Sequence, residues 1–328
     1  MKKNYSRLAL CALLVAFSFS VSAQQPTKIP RIGFLTGDSL SAISERREAF
    51  RQGLREHGYV EGKNIVIEWR SSEGKADRRP ALAAELVRLE PDVIVAVGSG
   101  DIRAAKEATA AIPIVMVQGG DAVGSGFVAS LARPGGNITG LSTLRPELMG
   151  KRLELLKEIV PKLSRVAVFA APNEQDYAQV QKELALAAGA LGVKLQYLAV
   201  TASKDIEIAF REASKGRADA ILFRVAGPFL TSQRPQIAQL AVKSRLPTMY
   251  ERAAEVVAGG LLSYGVNNND MYRRAATYVD KILKGSKPAD LPVEQPMKFE
   301  FIINLKAAKQ IGLTIPPNVL ARADRVIK

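Results

Sequence analysis

A single histidine and a single cysteine among 328 residues leave this chain little with which to move protons or do thiol chemistry. The histidine, His57, falls at the end of a predicted surface helix, where its ordinary role is contact with the helix C-terminus. One histidine excludes a Ser-His-Asp triad, a Cys-His pair and a zinc-type ligand set. Carboxylates alone can hydrolyse glycosides, but no pair of them is marked out here. The phosphate-binding signatures are missing as well. No G-x-x-x-x-G-K-[ST] occurs, and in GSGDIR (98–103) Arg103 stands where a dinucleotide fingerprint has its third glycine. The expectation is a protein that is not an enzyme and holds no metal and no cofactor.

Long apolar runs are also lacking, except at the start. Lys2, Lys3 and Arg7 precede a run from Leu8 to Val21, and Val21-Ser22-Ala23 closes it with small residues. This is the layout of a secretory signal peptide, residues 1–23, cleaved after Ala23. Cys11 lies inside it, so the mature chain has no cysteine and no disulfide. No later run reaches the roughly 20 residues that cross a bilayer, so no membrane insertion of the mature chain is expected. The formal charge is +14, of which Lys2, Lys3 and Arg7 supply three. The remaining excess is scattered along amphipathic segments such as Glu45-Arg46-Arg47-Glu48, which describes a solvated surface and gives no nucleic-acid signature.

What is present is alternation. RIGFL (31–35), NIVIEW (64–69), VIVAV (93–97) and IPIVMV (112–117) are separated by helix-like stretches, the first from Ser44 to His57 and stopped by Gly58. Runs that are apolar at nearly every position suit strands buried on both faces, hence α/β architecture with parallel sheets. The second half repeats the first. Lys28-Ile-Pro-Arg31-Ile32 is echoed by Lys162-Leu-Ser-Arg165-Val166, Asp92-Val-Ile-Val by Asp219-Ala-Ile-Leu, and Ile112-Pro113 by Leu246-Pro247. Two Rossmann-like lobes are predicted, residues 30–140 plus 266–292 and residues 141–265 plus 293–328. Three crossovers join them, near NITGLST (137–143), LLSYG (261–265) and LPVEQP (291–296). Such a connection is a hinge about which the lobes close.

Open α/β sheets bind ligands at the C-terminal ends of their strands, so the candidates are the residues that follow each strand. They are Thr36, Asp38 and Ser39 after the first, Gly98, Ser99, Gly100 and Asp101 in the GSGD turn, and Gln118 and Asp121 after the fourth. In the second half they are Asn173, Glu174, Arg224, Glu251 and Tyr264. Glycines let backbone approach a ligand, and the first amides of a helix attract a carboxylate, which points to a small anionic solute. Asp101 and Asn173 have an alternative role as helix caps, Thr36, Asp38 and Ser39 as turn formers. An amino-acid ammonium needs an acidic partner, and Asp121 or Glu251 is the expected one. Tyr177 and Phe229 offer ring faces, with core packing as their alternative.

Four segments carry a resemblance: GFVASLARPGGNITGLS (126–142), KRLELLKEIVP (151–161), AGGLLSYGVNNNDMYRRAATYVDKILKGSKPADLPVEQP (258–296) and INLKAAKQIGLTIPPNVLARAD (303–324). They resemble the bacterial ABC-transporter substrate-binding family that includes proteins for tryptophan and other aromatic amino acids. The resemblance implies a type I periplasmic-binding-protein fold and a monomer that closes on its ligand in the periplasm. It also implies an inner-membrane permease and its ATPase as partners. It expects GSGD, the QGGDAV turn (118–123) and APNE (171–174) to line the cleft. The chain departs from the family at Ala122, where many relatives have proline, and at Val-Ala-Gly-Pro (225–228), where many have Asp-Pro. A periplasmic sensor that presents its ligand to a membrane receptor is the alternative function with the same cleft.

Overall fold

The computed structural model describes residues 28–143, 145–172, 177–224 and 228–328, without the side chains of residues 145–147 and 228–231. The leader sequence, Asn173, Glu174, residues 225–227 and the ring of Phe229 lie outside the described set.

Two sheets organise the chain. The first contains β1 (Arg31–Thr36), β2 (Val66–Ser71), β3 (Val93–Val97), β4 (Ile114–Val117) and β5 (Ile138–Leu141) in the order β2-β1-β3-β4-β5, all parallel. VIVAV is buried at every position because alternate residues enter different cores. Val93, Val95 and Val97 face α1 (Ser44–Glu56) and α9 (Asn268–Leu283), against Phe50, Leu54, Met271, Ala275 and Val279. Ile94 and Ala96 face α3 (Ser99–Ala108), while Leu35 on the neighbouring strand packs on α2 (Arg79–Arg88). The 3.6-residue period of Met271, Ala275, Tyr278 and Ile282 puts all four of them inside.

The second sheet has β6 (Arg165–Ala170), β7 (Lys194–Ala199), β8 (Ala220–Phe223), β9 (Thr248–Tyr250), β10 (Leu262–Val266), β11 (Phe299–Asn304) and β12 (Arg325–Ile327), ordered β12-β11-β10-β9-β8-β6-β7. One face is covered by α4 (Arg145–Ile159) and α5 (Tyr177–Leu191). The other is covered by α6 (Ser203–Lys215), α7 (Pro228–Ser244) and the short α8 (Ala253–Val257). Past β11 come α10 (Leu305–Ile311) and α11 (Pro317–Leu320). One pairing departs from the parallel pattern, because β10 and β11 run antiparallel. The chain leaves this sheet at the end of β10 and re-enters it at the start of β11, so the two strands must point in opposite directions.

The lobes are joined by three passages: Leu141 to α4, Val266 to α9, and the stretch before β11. These passages hydrogen-bond one another. Ser142 N–H donates to the Glu294 carbonyl at 3.0 Å, and Asn267 N–H to the Lys298 carbonyl at 3.0 Å. These backbone bonds tie the passages into one strip between the lobes. His57 ends α1, but its ring turns toward α9, with Nε2 3.2 Å from Thr277 Oγ1 and Nδ1 3.6 Å from Asp280. It ties two helices together and stands far along the fold from the gap between the lobes.

Candidate functional site

The gap between the lobes is bordered by strand ends such as those of β4 and β9 and by the starts of β11 and β12. A small notch of about 60 Å³ beside the hinge is lined by Gln118 and Thr143 from one side and Leu148, Glu251 and Arg252 from the other. It adjoins a wider opening of about 470 Å³ between the start of α1, the start of α8 and the hinge residues Gly265 to Asn269. The wider volume falls in the range of small-molecule sites, and both lobes supply its walls.

The β3–α3 turn is built from sequence upward. Gly98 has φ +84°, a value that L side chains rarely adopt, and its N–H bonds the Val117 carbonyl at 2.8 Å. That turn starts α3 directly, with no side-chain cap. Ser99 is half-buried and its hydroxyl donates to the Gly119 carbonyl at 3.4 Å, a long bond that a better acceptor can replace. Gly100 has little room, since a Cβ there would stand 2.4 Å from a terminal nitrogen of Arg79.

Asp101 does not cap the helix. It is 3 % exposed and lies with Oδ1 3.3 Å from Nε of Arg79, an ionic contact whose angle is poor for a hydrogen bond. Burial pushes its carboxyl up to about 7; Arg79 and the Gly37 N–H oppose that rise, and the nearby Asp38 adds to it. Asp38 itself pairs with Arg46 at 3.3 Å. Thr36 is buried, with its hydroxyl accepting the Asp38 N–H at 3.3 Å, and the Ser39 hydroxyl accepts the Ala42 N–H at 3.4 Å. Thr36 and Ser39 therefore shape the β1–α1 turn, and Asp38 is held at its end by a cation.

After β4, Gln118 takes φ +60° and its amide donates to the Asn268 side chain at the hinge. Asp121 points away: it is exposed, lines neither cavity, and accepts the Gly124 N–H at 2.9 Å. Glu251 lines both cavities. Of the two acidic candidates for an ammonium, only Glu251 sits on the gap. Arg224 is 6 % exposed, and its guanidinium lies 6.0 Å from the centre of the Tyr177 ring, close enough for a cation–π contact. Tyr264 turns toward β11, its ring stacked on Phe299 at 6.1 Å, while its carbonyl accepts from Arg152 Nε at 2.7 Å. It braces the strand that leads into the hinge.

Three arginines of this region were not among the sequence candidates. Arg252 follows Glu251 directly at a strand end, so the strand-end rule reaches it. Arg46 and Arg79 lie within helical stretches and carry no local signal. Among the described residues no group of three or more His, Cys, Asp or Glu side chains is placed to hold a metal ion, and no helix is long and apolar enough to cross a membrane.

Residues 28–327 match the family model described as ABC transporter substrate binding protein. The chain is similar to a tyrosine-binding protein of Clostridioides difficile strain R20291, 25 % identical over 272 residues, which is 83 % of this chain and 78 % of that one. Among solved structures it is similar to a conserved domain protein from Vibrio cholerae, with 30 % identity, 91 % of this chain and 100 % of the other covered, and a TM-score of 0.83. It is also similar to an ABC domain in complex with L-Trp from Streptococcus pneumoniae, with 27 % identity, coverage of 91 % and 99 %, and a TM-score of 0.82.

Proposed function

Since the chain belongs to the ABC transporter substrate-binding protein family, we propose that it captures a free amino acid, an aromatic one first of all, between its lobes and delivers it to a membrane permease driven by an ATPase. The observation that carries this reading is the gap itself. It is walled by both lobes, and it puts a carboxylate, Glu251, on the same notch as Gln118, whose neighbour Gly119 accepts from Ser99 in the turn that opens α3. A zwitterion fits those two poles. Its carboxylate takes the first amides of α3 and the Ser99 hydroxyl, and its ammonium takes Glu251. The tyrosine-binding relative and the L-Trp complex support an aromatic side chain. Tyr177 and Arg224 of the second lobe offer it a ring face and a cation. The basic and apolar N-terminal segment supports export to the periplasm before the protein works. No turnover belongs to this role, in keeping with one histidine that serves a helix pair.

A thermal-shift screen of residues 24–328 against amino acids, aromatic acids, sugars and nucleosides tests the reading. At 100 times its dissociation constant a ligand adds about 2.7 kcal/mol, a shift of several degrees. L-Trp, L-Tyr or L-Phe is expected to give it. A shift with sugars or nucleosides alone overturns the amino-acid assignment. In the same assay Ser99→Ala lowers affinity by about 1 kcal/mol for a neutral hydrogen bond and up to about 3 for a charge-assisted one. Unchanged affinity in a calorimetric titration removes Ser99 from the site.

A further inference from the structure

The loop after β4 contains two glycines in a row, and the peptide group between them touches both the cleft and the hinge. Its carbonyl, on Gly119, accepts the Ser99 hydroxyl at 3.4 Å, and its N–H, on Gly120, donates to Thr143 Oγ1 at 3.2 Å. Ser99 opens α3, whereas Thr143 stands in the passage from Leu141 to α4 and lines the notch together with Glu251 and Arg252. The peptide groups on either side are fixed by backbone bonds. Gly119 N–H donates to the Leu141 carbonyl at 3.3 Å, and the Gly120 carbonyl accepts the Thr143 N–H at 3.3 Å. The Gln118 amide adds a bond to Asn268 at the start of α9. Turning one peptide group while its neighbours stay changes ψ of the residue before it and φ of the residue after it. Both residues are glycines here, Gly120 at φ +62°, so no Cβ resists the turn. The Ser99 hydroxyl packs directly on this loop, 3.3 Å from where a Cβ of Gly120 would stand.

We propose that this peptide group is a solute-driven switch: a carboxylate that takes the Ser99 hydroxyl turns it over, which brings the Gly120 N–H to the solute and frees the Thr143 hydroxyl in the hinge. The proposal rests on the reading of Ser99 as a solute contact, and it adds the Gly120 N–H as a donor and Thr143 as a positioning residue. The driving force is electrostatic. In the present arrangement the Gly119 carbonyl holds the hydroxyl that the solute needs, and its negative end faces an arriving anion. After the turn the Ser99 hydroxyl and the Gly120 N–H both donate to the carboxylate, and such charge-assisted bonds are the stronger kind. The cost is the neutral bond to Thr143. Its loss loosens one of the three passages about which the lobes rotate. Solute capture and lobe movement are thereby linked through a single peptide group.

The first measurement needs no ligand. Amide hydrogen exchange at Gly120, read by nuclear magnetic resonance, is expected to quicken in Thr143→Val, which removes the acceptor. It is expected to quicken also in Ser99→Ala, which removes only the restraint at the other end of the same peptide group. Amides of the buried strand β3, such as Val95, are expected to keep their rates. Unchanged exchange at Gly120 in Ser99→Ala overturns the link. The second measurement is titration calorimetry with L-Trp and L-Tyr as probes, beside urea unfolding. Thr143→Val is expected to bind about fivefold more tightly, equivalent to about 1 kcal/mol, because the solute no longer has to break the Thr143 bond. It is expected to be less stable at the same time, and Thr143→Ser, which keeps the hydroxyl, to match the wild type in both. A residue that only braces the fold loses stability without a gain in affinity, so weaker or unchanged binding by Thr143→Val overturns the proposal. The third is a crystal structure with the probe that binds. The Gly120 N–H is expected to point to the ligand carboxylate, and one still bonded to Thr143 overturns the switch. Should neither probe bind, the amino-acid reading fails, and exchange at Gly120 still decides whether the two hydroxyls hold one peptide group.

Discussion

Gly265→Ala weakens solute binding at least about a hundredfold while leaving a folded, less stable protein. A Cβ at this position would stand 1.9 Å from the Glu251 carbonyl oxygen and 3.1 Å from the carbonyl carbon, and backbone atoms cannot swing aside as the end of a side chain does. Gly265 has no freedom to retreat. It pairs with Glu300 on β11, and the preceding Tyr264 carbonyl is held by the buried Arg152. The segment that yields is therefore the end of β9, which carries Glu251 and Arg252 at the border of both cavities. Overpacking of this kind costs about 1–3 kcal/mol of stability. Displacing the carboxylate that meets an ammonium costs at least about 2.7 kcal/mol of binding, a hundredfold in affinity. Titration calorimetry with the ligand found in the screen reads the second effect, and urea unfolding reads the first. Gly136→Ala is the control, since nothing lies within 4 Å of a Cβ there and φ is unstrained. Retention of full affinity by Gly265→Ala removes Glu251 from the site.

The contrast between what local pattern reveals and what it hides follows from separation along the chain. VIVAV announced a strand buried on both faces because both faces are apolar, and the face of α9 was legible in the spacing of Met271, Ala275, Tyr278 and Ile282. The repeated order of the two halves gave two lobes with parallel sheets. Of the strand-end candidates, Gln118 and Glu251 line the cavities at the gap, where the topology brings the loops after β4 and β9. The orientation of single side chains was not legible. Asp101 has the position of a first-turn acid, yet it turns inward to Arg79, a residue on the preceding helix with a strand between them. The pattern puts Tyr264 at a strand end, yet β10 runs on through it to Val266, and its ring stacks on Phe299 of the antiparallel neighbour β11. Asp121 fits an ammonium partner by type, but the tight turn to Gly124 claims its carboxylate. In each case the deciding partner is either remote in sequence or a backbone group that composition does not mark.

Arg79→Gln makes the protein progressively less stable as pH rises above neutral and leaves it little changed near pH 4. The cause is Asp101, whose carboxyl burial pushes up to about 7 from an ordinary value near 3.9. A group whose folded pKa lies above its unfolded one stabilises the fold while it is protonated. That contribution is whole below about pH 4 and is lost as pH rises through 7, so the wild type already gives up stability over this window, by at most about 4 kcal/mol. Arg79 is the cation that limits the loss, lying 3.3 Å away. Without it the folded pKa rises further and the window extends upward; the extra loss at pH 8 is at most about 1.4 kcal/mol, because the carboxyl then stays protonated in the folded state, and it grows by about 1.4 kcal/mol for each further pH unit up to the new pKa. At pH 4 the carboxyl is neutral with or without Arg79, and the two proteins converge. Asp101→Asn keeps the shape and removes the titration, so its stability is expected to stay flat between pH 4 and pH 8 and to exceed the wild type at the upper end. The same proton bears on binding. Asp101 lies in the first turn of α3, where an ionised carboxylate competes with the ligand's own for the positive end of the helix. Affinity for an amino acid is therefore expected to fall as pH rises through 7 in the wild type and to hold level in Asp101→Asn. Calorimetry at pH 6 and pH 8 distinguishes the two; equal slopes in both proteins would place the ligand's carboxylate away from α3.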